Sequence, residues 1–312
     1  GCLDPVGLAN RWIYRAGDRS MGMPEDEFVA RCSEADLLIA RGCPLDLWRP
    51  EYDRPRRRIF IDSDPGFTQI RLHNRDAALC QTIERCHQLF TVGQRVGSAD
   101  CRVPTCGHRW QQMLPPVVLS AWPPAATDAA SHFTSVMQWR SYREVVYQGE
   151  SYGSKDREFA RFLDLPRHTP QPLRIALTGG DPQLLAAHGW DVCVGWSTSF
   201  TPEAYQDFIV DSRAELSVAK QGYVAMRSGW FSDRSACYLA SGRPVLLQDT
   251  GLEGGLPVGE GILTFRDLSE AVRGIEVINA DYDRHRRAAR RIADQYLAAS
   301  RVLEHLLERA MS

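Results

Sequence analysis

The sequence has very little lysine. Only two lysines occur in 312 residues, Lys155 and Lys220, and the other 35 basic residues are arginine. Lysine carries a compact ammonium on a thin stem, a shape that arginine does not provide. The two lysines are therefore candidates for a site that needs this shape, and the alternative is that they are leftover surface residues.

Other absences exclude several classes of protein. No apolar run reaches the ~18 residues that a membrane-spanning helix needs, so no integral membrane segment is expected. The net charge of −2 argues against a broad nucleic-acid surface. The nine cysteines are an odd number, and no signal peptide is recognisable at the start. Both features favour a reducing cytoplasm.

One cysteine-rich stretch raises a zinc hypothesis. It contains Cys80, Cys86, His87, Cys101, Cys106 and His108. The spacings between paired cysteines are looser than in the usual zinc knuckles, and cysteine is also an ordinary core residue. We therefore expect no bound metal and no other cofactor.

Alternating apolar runs and helical stretches predict an α/β fold. Strands are predicted at 35–40, 59–61 and 89–92, then at 133–139, 173–177, 190–194, 216–219, 244–247 and 262–265. A proline-rich connection at 115–131 separates two such halves, which predicts two doubly wound domains facing a cleft. The predicted units are 1–122, 123–280 and a C-terminal helix at 281–312. This segment is predicted to be one long helix or a pair of helices, and its arginine run at 284–291 would usually form a solvated face or could bind membrane phospholipid or an acidic partner. We favour packing of the helix back toward the first domain.

The segment that follows the strand at 216–219 predicts a phosphate site. Ligands of such sheets bind beyond the carboxyl ends of the strands. Here Lys220 is followed by a loop and by a helix that starts near Phe231. A helix N-terminus exposes unpaired N–H groups that attract phosphate, and arginine adds charge-assisted donors. The alternative is a capped helix with Arg234 on the surface.

The turn after the strand at 59–61 supplies a candidate catalytic base. Asp64 stands directly before Pro65-Gly66, so we expect it to face the cleft and to take a proton from an acceptor hydroxyl. The like charge of Asp62 would raise the pKa of Asp64. A turn-capping role is the alternative, and Asp100 and His108 are other candidates for the base.

Several segments together resemble a known family. They are SVAKQGYVAMRSGWFSDRSACYLASGRPVLLQDTG at 217–251, IDSDPGFTQ at 61–69 and SKDREFARFLDLP at 154–166. They resemble bacterial glycosyltransferase-like proteins of the spore-maturation glycosyltransferase type, over about residues 24–297. The resemblance implies a GT-B fold and a metal-independent hexosyltransferase that moves a sugar from a nucleotide-diphosphate donor to a small-molecule or glycan hydroxyl. The family's first strand with its Gly-rich turn is not recognisable, so we expect the first domain to be truncated at its start.

The resemblance implies a donor site and a catalytic pair. The diphosphate and sugar would contact Lys155, Lys220, Arg227, Ser228, Ser232, Asp233, Arg234 and Ser235. The nucleotide base and the ribose of the donor would contact Thr178, Gly179 and Trp196. The hydroxyls of the transferred sugar would contact Gln248, Asp249, Thr250 and Gly251. Asp64 and Asp62 would be the catalytic carboxylates. The alternatives are a sugar-nucleotide epimerase or hydrolase and a non-catalytic nucleotide-sugar-binding protein. Neither the acceptor nor the oligomeric state follows from the sequence.

Overall fold

The first part of the chain forms a four-stranded parallel sheet. The computed structural model describes residues 7–17, 19–42, 48–124, 131–141 and 143–312. The strand order is β3-β4-β5-β6, and an antiparallel pair, β1 and β2, precedes this sheet. The strands are β1 (Ile13–Ala16), β2 (Arg19–Gly22), β3 (Leu37–Arg41), β4 (Arg57–Asp62), β5 (Gln88–Thr91) and β6 (Trp110–Gln112). The helices are α1 (Glu25–Glu34), α2 (Phe67–His73) and α3 (Ala77–Arg85).

The second part forms a six-stranded parallel sheet in the order β11-β10-β7-β12-β13-β14, and β8 and β9 form a separate hairpin. The strands are β7 (Phe133–Gln138), β8 (Val145–Tyr147), β9 (Glu150–Tyr152), β10 (Leu173–Thr178), β11 (Asp191–Val194), β12 (Ala214–Ser217), β13 (Val245–Gln248) and β14 (Ile262–Phe265). The helices are α4 (Lys155–Phe159), α5 (Pro182–Ala187), α6 (Gly195–Ser199), α7 (Pro202–Val210), α8 (Gln221–Ala225), α9 (Asp233–Ala240) and α10 (Leu268–Ala280). The chain runs outward from β7 to β11 and returns on the other side at β12, so the strand order reverses between β7 and β12.

The strands predicted from apolar runs are confirmed to within about two residues. Their interior is apolar because both faces of a parallel sheet are covered by helices. All four residues of β12 and all four of β13 are buried. The hairpin β8–β9 was not predicted, since its short strands are only partly buried.

The C-terminal segment divides into two helices, α11 (Tyr282–Ile292) and α12 (Ala299–Met311). Helix α12 packs Leu306 and Ala310 against Ile59, Ile61 and Phe90 of the first sheet, as expected. Helix α11 instead packs on the second domain, where Ala289 and Ile292 join its core.

The contacts of the arginine run agree only in part with the expectation, because Arg290 donates to the carbonyl of Trp122, the last residue of the predicted first unit, at 2.9 Å, whereas other arginines of the run contact the second domain. Arg284 forms an ion pair with Glu260, and Arg290 also donates a hydrogen bond to the carbonyl of Ala240. Both of these partners precede α11 in the second half of the chain. Ala298, with an extended ψ of 124°, redirects the chain so that only the part after it reaches the first sheet.

The two sheets meet along the loop at 226–230. The backbone N–H of Gln94 donates to Gly229 O at 3.1 Å, and that of Arg102 donates to Met226 O at 2.8 Å. Gly229 has a φ of +67°, and a Cβ there would lie 2.6 Å from Arg95 Cγ, so only glycine allows this approach. Within the described residues, no helix is long and apolar enough to cross a membrane.

Candidate active site in the interdomain cleft

The carboxyl ends of β12 and β4 face each other across the cleft. Lys220 follows β12 and Asp64 follows β4. The Lys220 ammonium lies 2.6 Å from Asp64 Oδ1, and the Lys220 side chain is only 10% exposed. Burial lowers the pKa of Lys220, and the charge of Asp64 opposes that shift. Asp64 therefore faces the second domain, as expected, and is already paired there with a cation.

Lys155 lies beside this pair as a buried lysine without an anionic partner. It begins α4 and is 5% exposed. Among the described residues, none forms a hydrogen bond or ion pair with its ammonium. Burial holds the pKa of Lys155 well below its ordinary value, the positive charges of Arg234 and Lys220 depress it further, and the negative charge of Glu215 opposes the shift only in part. The two lysines of the chain thus converge on the edge where β7 and β12 separate.

Arg234 is turned inward, which differs from its expected role as a phosphate ligand. Its guanidinium donates to Glu215 Oε1 at 2.6 Å, to the carbonyl of Val136 at 2.9 Å and to Ser217 Oγ at 2.8 Å. These partners lie on β7 and β12, and Glu215 is fully buried. Arg234 therefore ties the two strands together beneath the cleft instead of reaching into it.

Two buried polar atoms near this ion pair have no hydrogen-bond partner among the residues that the structure describes. They are Glu215 Oε2 and Ser235 Oγ. Since buried polar atoms are nearly always paired, the region between β7 and β12 is incompletely satisfied in the protein alone. We expected Ser235 to contact the donor at the cleft surface. It is instead fully buried and lies behind that surface.

Arg227 lies on the rim of the cleft and is 41% exposed. Its backbone φ of +50° is unusual for a residue other than glycine, and such strain is concentrated at functional sites. Its Nε lies 3.5 Å from Asp100 Oδ2. Arg95 donates a hydrogen bond that lowers the pKa of Asp100 to about 2, which makes Asp100 a poor base.

The start of α9 faces the first domain. Ser232 is its N-cap and accepts a hydrogen bond from the Arg234 N–H at 3.2 Å. Asp233 is exposed and lies 3.5 Å from Arg41 at the end of β3. The predicted helix N-terminus is therefore at the cleft, although the Ser232 hydroxyl is already used by the helix itself.

Asp62 does not reach the cleft. It is fully buried and accepts hydrogen bonds from the Asp64 N–H, the Gln69 amide and the Thr91 hydroxyl at 2.9, 2.8 and 2.7 Å. Burial raises the pKa of Asp62. The expected catalytic role of Asp62 is therefore replaced by a structural one, which is to hold the turn that carries Asp64.

Three other residues that were predicted to bind the nucleotide-sugar donor are buried and form hydrogen bonds within the protein. Ser228 packs against Tyr223 O, Thr250 donates to Trp230 O at 2.8 Å, and Gln248 donates to Glu158 Oε2 at 2.6 Å. Their side chains support the loops around the cleft, contrary to the expectation that they contact the sugar. Asp249 accepts from the Gly251 N–H at 2.8 Å and lines a separate depression with Arg266.

The residues expected at the base and ribose lie at the same edge of the sheet. Thr178 ends β10, Gly179 follows it, and both are exposed. Trp196 follows β11, is 62% exposed, and contacts Phe200 edge to face at 5.4 Å between ring centroids. An exposed aromatic pair at this edge suits stacking on a nucleotide base.

The cysteine-rich stretch is part of the first domain's packing. Cys80, Cys86, Cys101 and Cys106 contact its hydrophobic core, and burial raises the pKa of Cys86 to about 12. Over the described ranges, no group of three or more His, Cys, Asp or Glu side chains is placed to hold a metal ion. His108 precedes β6, at the end of the strand remote from the cleft.

Sequence reasoning missed three aromatic residues at the site. Tyr223 donates its hydroxyl to Asp64 Oδ1. Its ring is stacked on Trp230 with 4.7 Å between centroids, and it contacts Phe67 edge to face at 5.6 Å. Tyr223 and Trp230 lie on either side of the predicted phosphate loop in the sequence. This position could have marked both as residues of the site.

Comparisons with known proteins agree with this architecture. Residues 157–311 match the model of a family described as glycosyl transferase-like. No curated protein sequence matches the chain.

Solved structures are similar in fold at low sequence identity. One is sucrose-phosphate synthase from Thermosynechococcus elongatus, with 11% identity, 95% of this chain and 84% of that chain covered, and a TM-score of 0.57. Another is an alpha-glucosyltransferase in complex with UDP, with 11% identity, 92% and 84% coverage, and a TM-score of 0.58. A third is Anabaena HepE in complex with UDP-glucose, with 10% identity, 91% and 80% coverage, and a TM-score of 0.58. The chain therefore has the GT-B fold, and its residues 157–311 have the sequence of a glycosyl transferase-like family.

Proposed function

We propose that this protein is a glycosyltransferase that moves a sugar from a nucleotide-diphosphate donor to a hydroxyl acceptor. The observation that carries the proposal is the buried Lys155 side chain, whose ammonium forms no ion pair in the described part of the chain and lies near Lys220, with the charge of Glu215 only partly compensating it. Both lysines lie where the strand order reverses, which is the usual ligand position in this kind of sheet. A diphosphate supplies the missing negative charge.

The chemistry follows from the charges on the two sides of the cleft. Lys155, Lys220 and the exposed Arg227 stabilise the negative charge that builds on the leaving diphosphate, where electrostatic catalysis acts most strongly. On the opposite side, Asp64 takes the proton from the acceptor hydroxyl. The hydroxyl oxygen bonds to the anomeric carbon, and the electron pair of the broken bond stays on the diphosphate oxygen.

The proposal extends to the donor, the metal requirement and the subfamily. The UDP and UDP-glucose complexes of the fold neighbours make UDP-hexoses the first donors to test. Three cationic side chains can neutralise the diphosphate without a metal, so transfer is expected to be unaffected by EDTA.

The GWFSDRS and YLASGRPV segments support the spore-maturation glycosyltransferase type, and the seven free cysteines of the described chain suit a reducing cytoplasm.

A thermal-shift screen with UDP, TDP, GDP and ADP tests the proposal. A ligand at a hundredfold over its Kd adds ~2.7 kcal/mol of stability, so one of the four should raise the melting temperature clearly. Lys155→Met should abolish that shift, and Arg31→Ala, which removes an exposed cation on α1, should keep it. No shift with any of the four would contradict the proposal.

Product analysis then separates the alternatives. A transferase leaves the donor largely intact until an acceptor is added, whereas a sugar-nucleotide hydrolase or epimerase consumes or converts it alone. A non-catalytic binding protein would show the thermal shift, but Asp64→Asn would change no measurable rate.

A further inference from the structure

We propose that Tyr223 is a positioning residue that keeps the Asp64 carboxylate in place when the donor diphosphate takes Lys220 away from it. This inference rests on the proposed glycosyltransferase function. It assigns different tasks to the two residues that donate to the same carboxylate oxygen.

The contacts of Asp64 define the arrangement. Both the Lys220 ammonium, at 2.6 Å, and the Tyr223 hydroxyl donate to Asp64 Oδ1. The Asp62 carboxylate accepts from the Asp64 backbone N–H at 2.9 Å and anchors the turn. Among the described residues, charged and titratable groups that bear on Asp64 include Asp62, Lys220 and Tyr223, with Lys155 acting through Lys220.

Tyr223 is held rigidly by both domains. Its side chain is 1% exposed. Its ring is stacked on Trp230 of the second domain and contacts Phe67 of the first domain edge to face. Packed on both sides, its hydroxyl has one position, so the hydrogen bond to Asp64 persists whatever Lys220 does.

Lys220 is the mobile partner. Its ammonium ends a flexible four-carbon stem and is buried beside the carboxylates of Asp64 and Asp62, whose charges oppose the effect of burial on its pKa. A bound diphosphate carries more negative charge than one carboxylate and attracts the ammonium more strongly. The donor thus withdraws Lys220 and uncovers Asp64 for the acceptor hydroxyl, whose proton passes to Asp64 as described above.

Tyr223→Phe tests the positioning role because it removes only the hydroxyl. With the nucleoside diphosphate that gives the largest thermal shift, the Kd should change by less than about twofold. Turnover should fall by about tenfold or more, since hydrogen bonds to charged groups are strong. The acid limb of the kcat/KM profile should move to higher pH, because a hydrogen bond to a carboxylate lowers its pKa. A merely structural tyrosine would lower the melting temperature and leave kcat and the pH profile unchanged, which would overturn the inference.

Asp64→Asn tests the competition for Lys220 by binding alone. At about pH 6, far below the ordinary pKa of lysine, the same nucleotide should bind several-fold more tightly to this variant than to the wild type. Asp283→Asn, which removes an exposed carboxylate on α11, is the control for net charge and should leave the Kd unchanged. Unchanged or weaker binding by Asp64→Asn contradicts the competition.

The outcomes separate this inference from the proposed function. If the wild type binds none of the four nucleotides and transfers no sugar, both fail. If it binds and transfers normally while Tyr223→Phe and Asp64→Asn lack the expected effects, only the role of Tyr223 is wrong.

Discussion

The two sides of the cleft use neighbouring residues in opposite ways. On the first domain, Asp64 faces the cleft, whereas Asp62 is fully buried and holds the turn. On the second domain, Arg227 is exposed on the rim, whereas Arg234 is paired with Glu215 between two strands. On each side, therefore, one charged residue lies at the cleft and the other holds the surrounding backbone or strands.

This comparison shows how burial and hydrogen bonding distinguish a structural charged residue from one that faces a ligand. In both domains the buried member is the one with several hydrogen-bond partners. A buried charge is stable only when it is paired and hydrogen-bonded. Lys155 departs from this rule, because it is buried and lacks a partner in the described part of the chain. That departure makes it the strongest indication of a missing anionic ligand.

The largest effect on stability is expected when Arg234, the buried arginine of the second domain, is removed. Arg234→Ala leaves the Glu215 carboxylate buried without its partner, and breaking a buried ion pair costs ~3–5 kcal/mol. Urea denaturation should therefore show a strongly destabilised protein. A variant with wild-type stability that had lost only nucleotide binding would make Arg234 a ligand and break the comparison.

Arg227, the exposed arginine on the same side of the cleft, should affect nucleotide binding and leave the stability nearly unchanged. Arg227→Ala removes a charge-assisted phosphate contact, so nucleotide affinity should fall by about tenfold. The free energy of unfolding should stay within ~0.5 kcal/mol of the wild type, as is usual for surface substitutions. Calorimetric titration and urea denaturation measure the two quantities. A loss of stability without a loss of affinity would assign Arg227 a structural role.

A smaller effect is expected for the unpartnered lysine. Lys155→Met removes a buried amine whose charged form is disfavoured by burial, and in the absence of nucleotide it should raise the stability by about 1 kcal/mol at the acid end of the pH range. The pKa of Lys155 is lowered in the folded protein, so the unfolded chain binds the extra proton at every pH between that lowered pKa and about 10.5.

The wild-type stability should consequently rise with pH across that window. The advantage of Lys155→Met is greatest at the acid end and disappears as the pH approaches about 10.5. Urea denaturation at several pH values measures this trend, with Arg31→Met as a control that should show none. A destabilised Lys155→Met variant with no pH trend would mean that the ammonium is satisfied within the protein.

Much of this architecture could be predicted from the sequence, because strand interiors and turn residues are local signals. The strands and the cleft-facing Asp64 were accessible in this way, whereas the placement of Lys155 with Lys220 came from the resemblance. The direction of a side chain was not accessible. Whether Arg234 points out or in depends on Glu215, Ser217 and the carbonyl of Val136, which reach it only through the tertiary fold.

The same limit explains why the expectation for the arginine run holds only in part. A periodic pattern predicted a long C-terminal helix or a pair of helices, but no pattern revealed that the chain turns at Ala298. Most contacts of the arginines before that turn are consequently with the second domain, and only α12 reaches the first sheet.

Proton uptake on nucleotide binding tests the central claim most directly. Calorimetric titration of UDP, TDP, GDP and ADP at about pH 9, in buffers of different ionisation enthalpy, measures both the affinity and the protons taken up. If a diphosphate binds against Lys155, its charge raises the lowered pKa of that lysine, so binding should take up protons in the wild type and much less in Lys155→Met. Binding without proton uptake and with undiminished affinity in Lys155→Met, or no binding at all, would contradict the account.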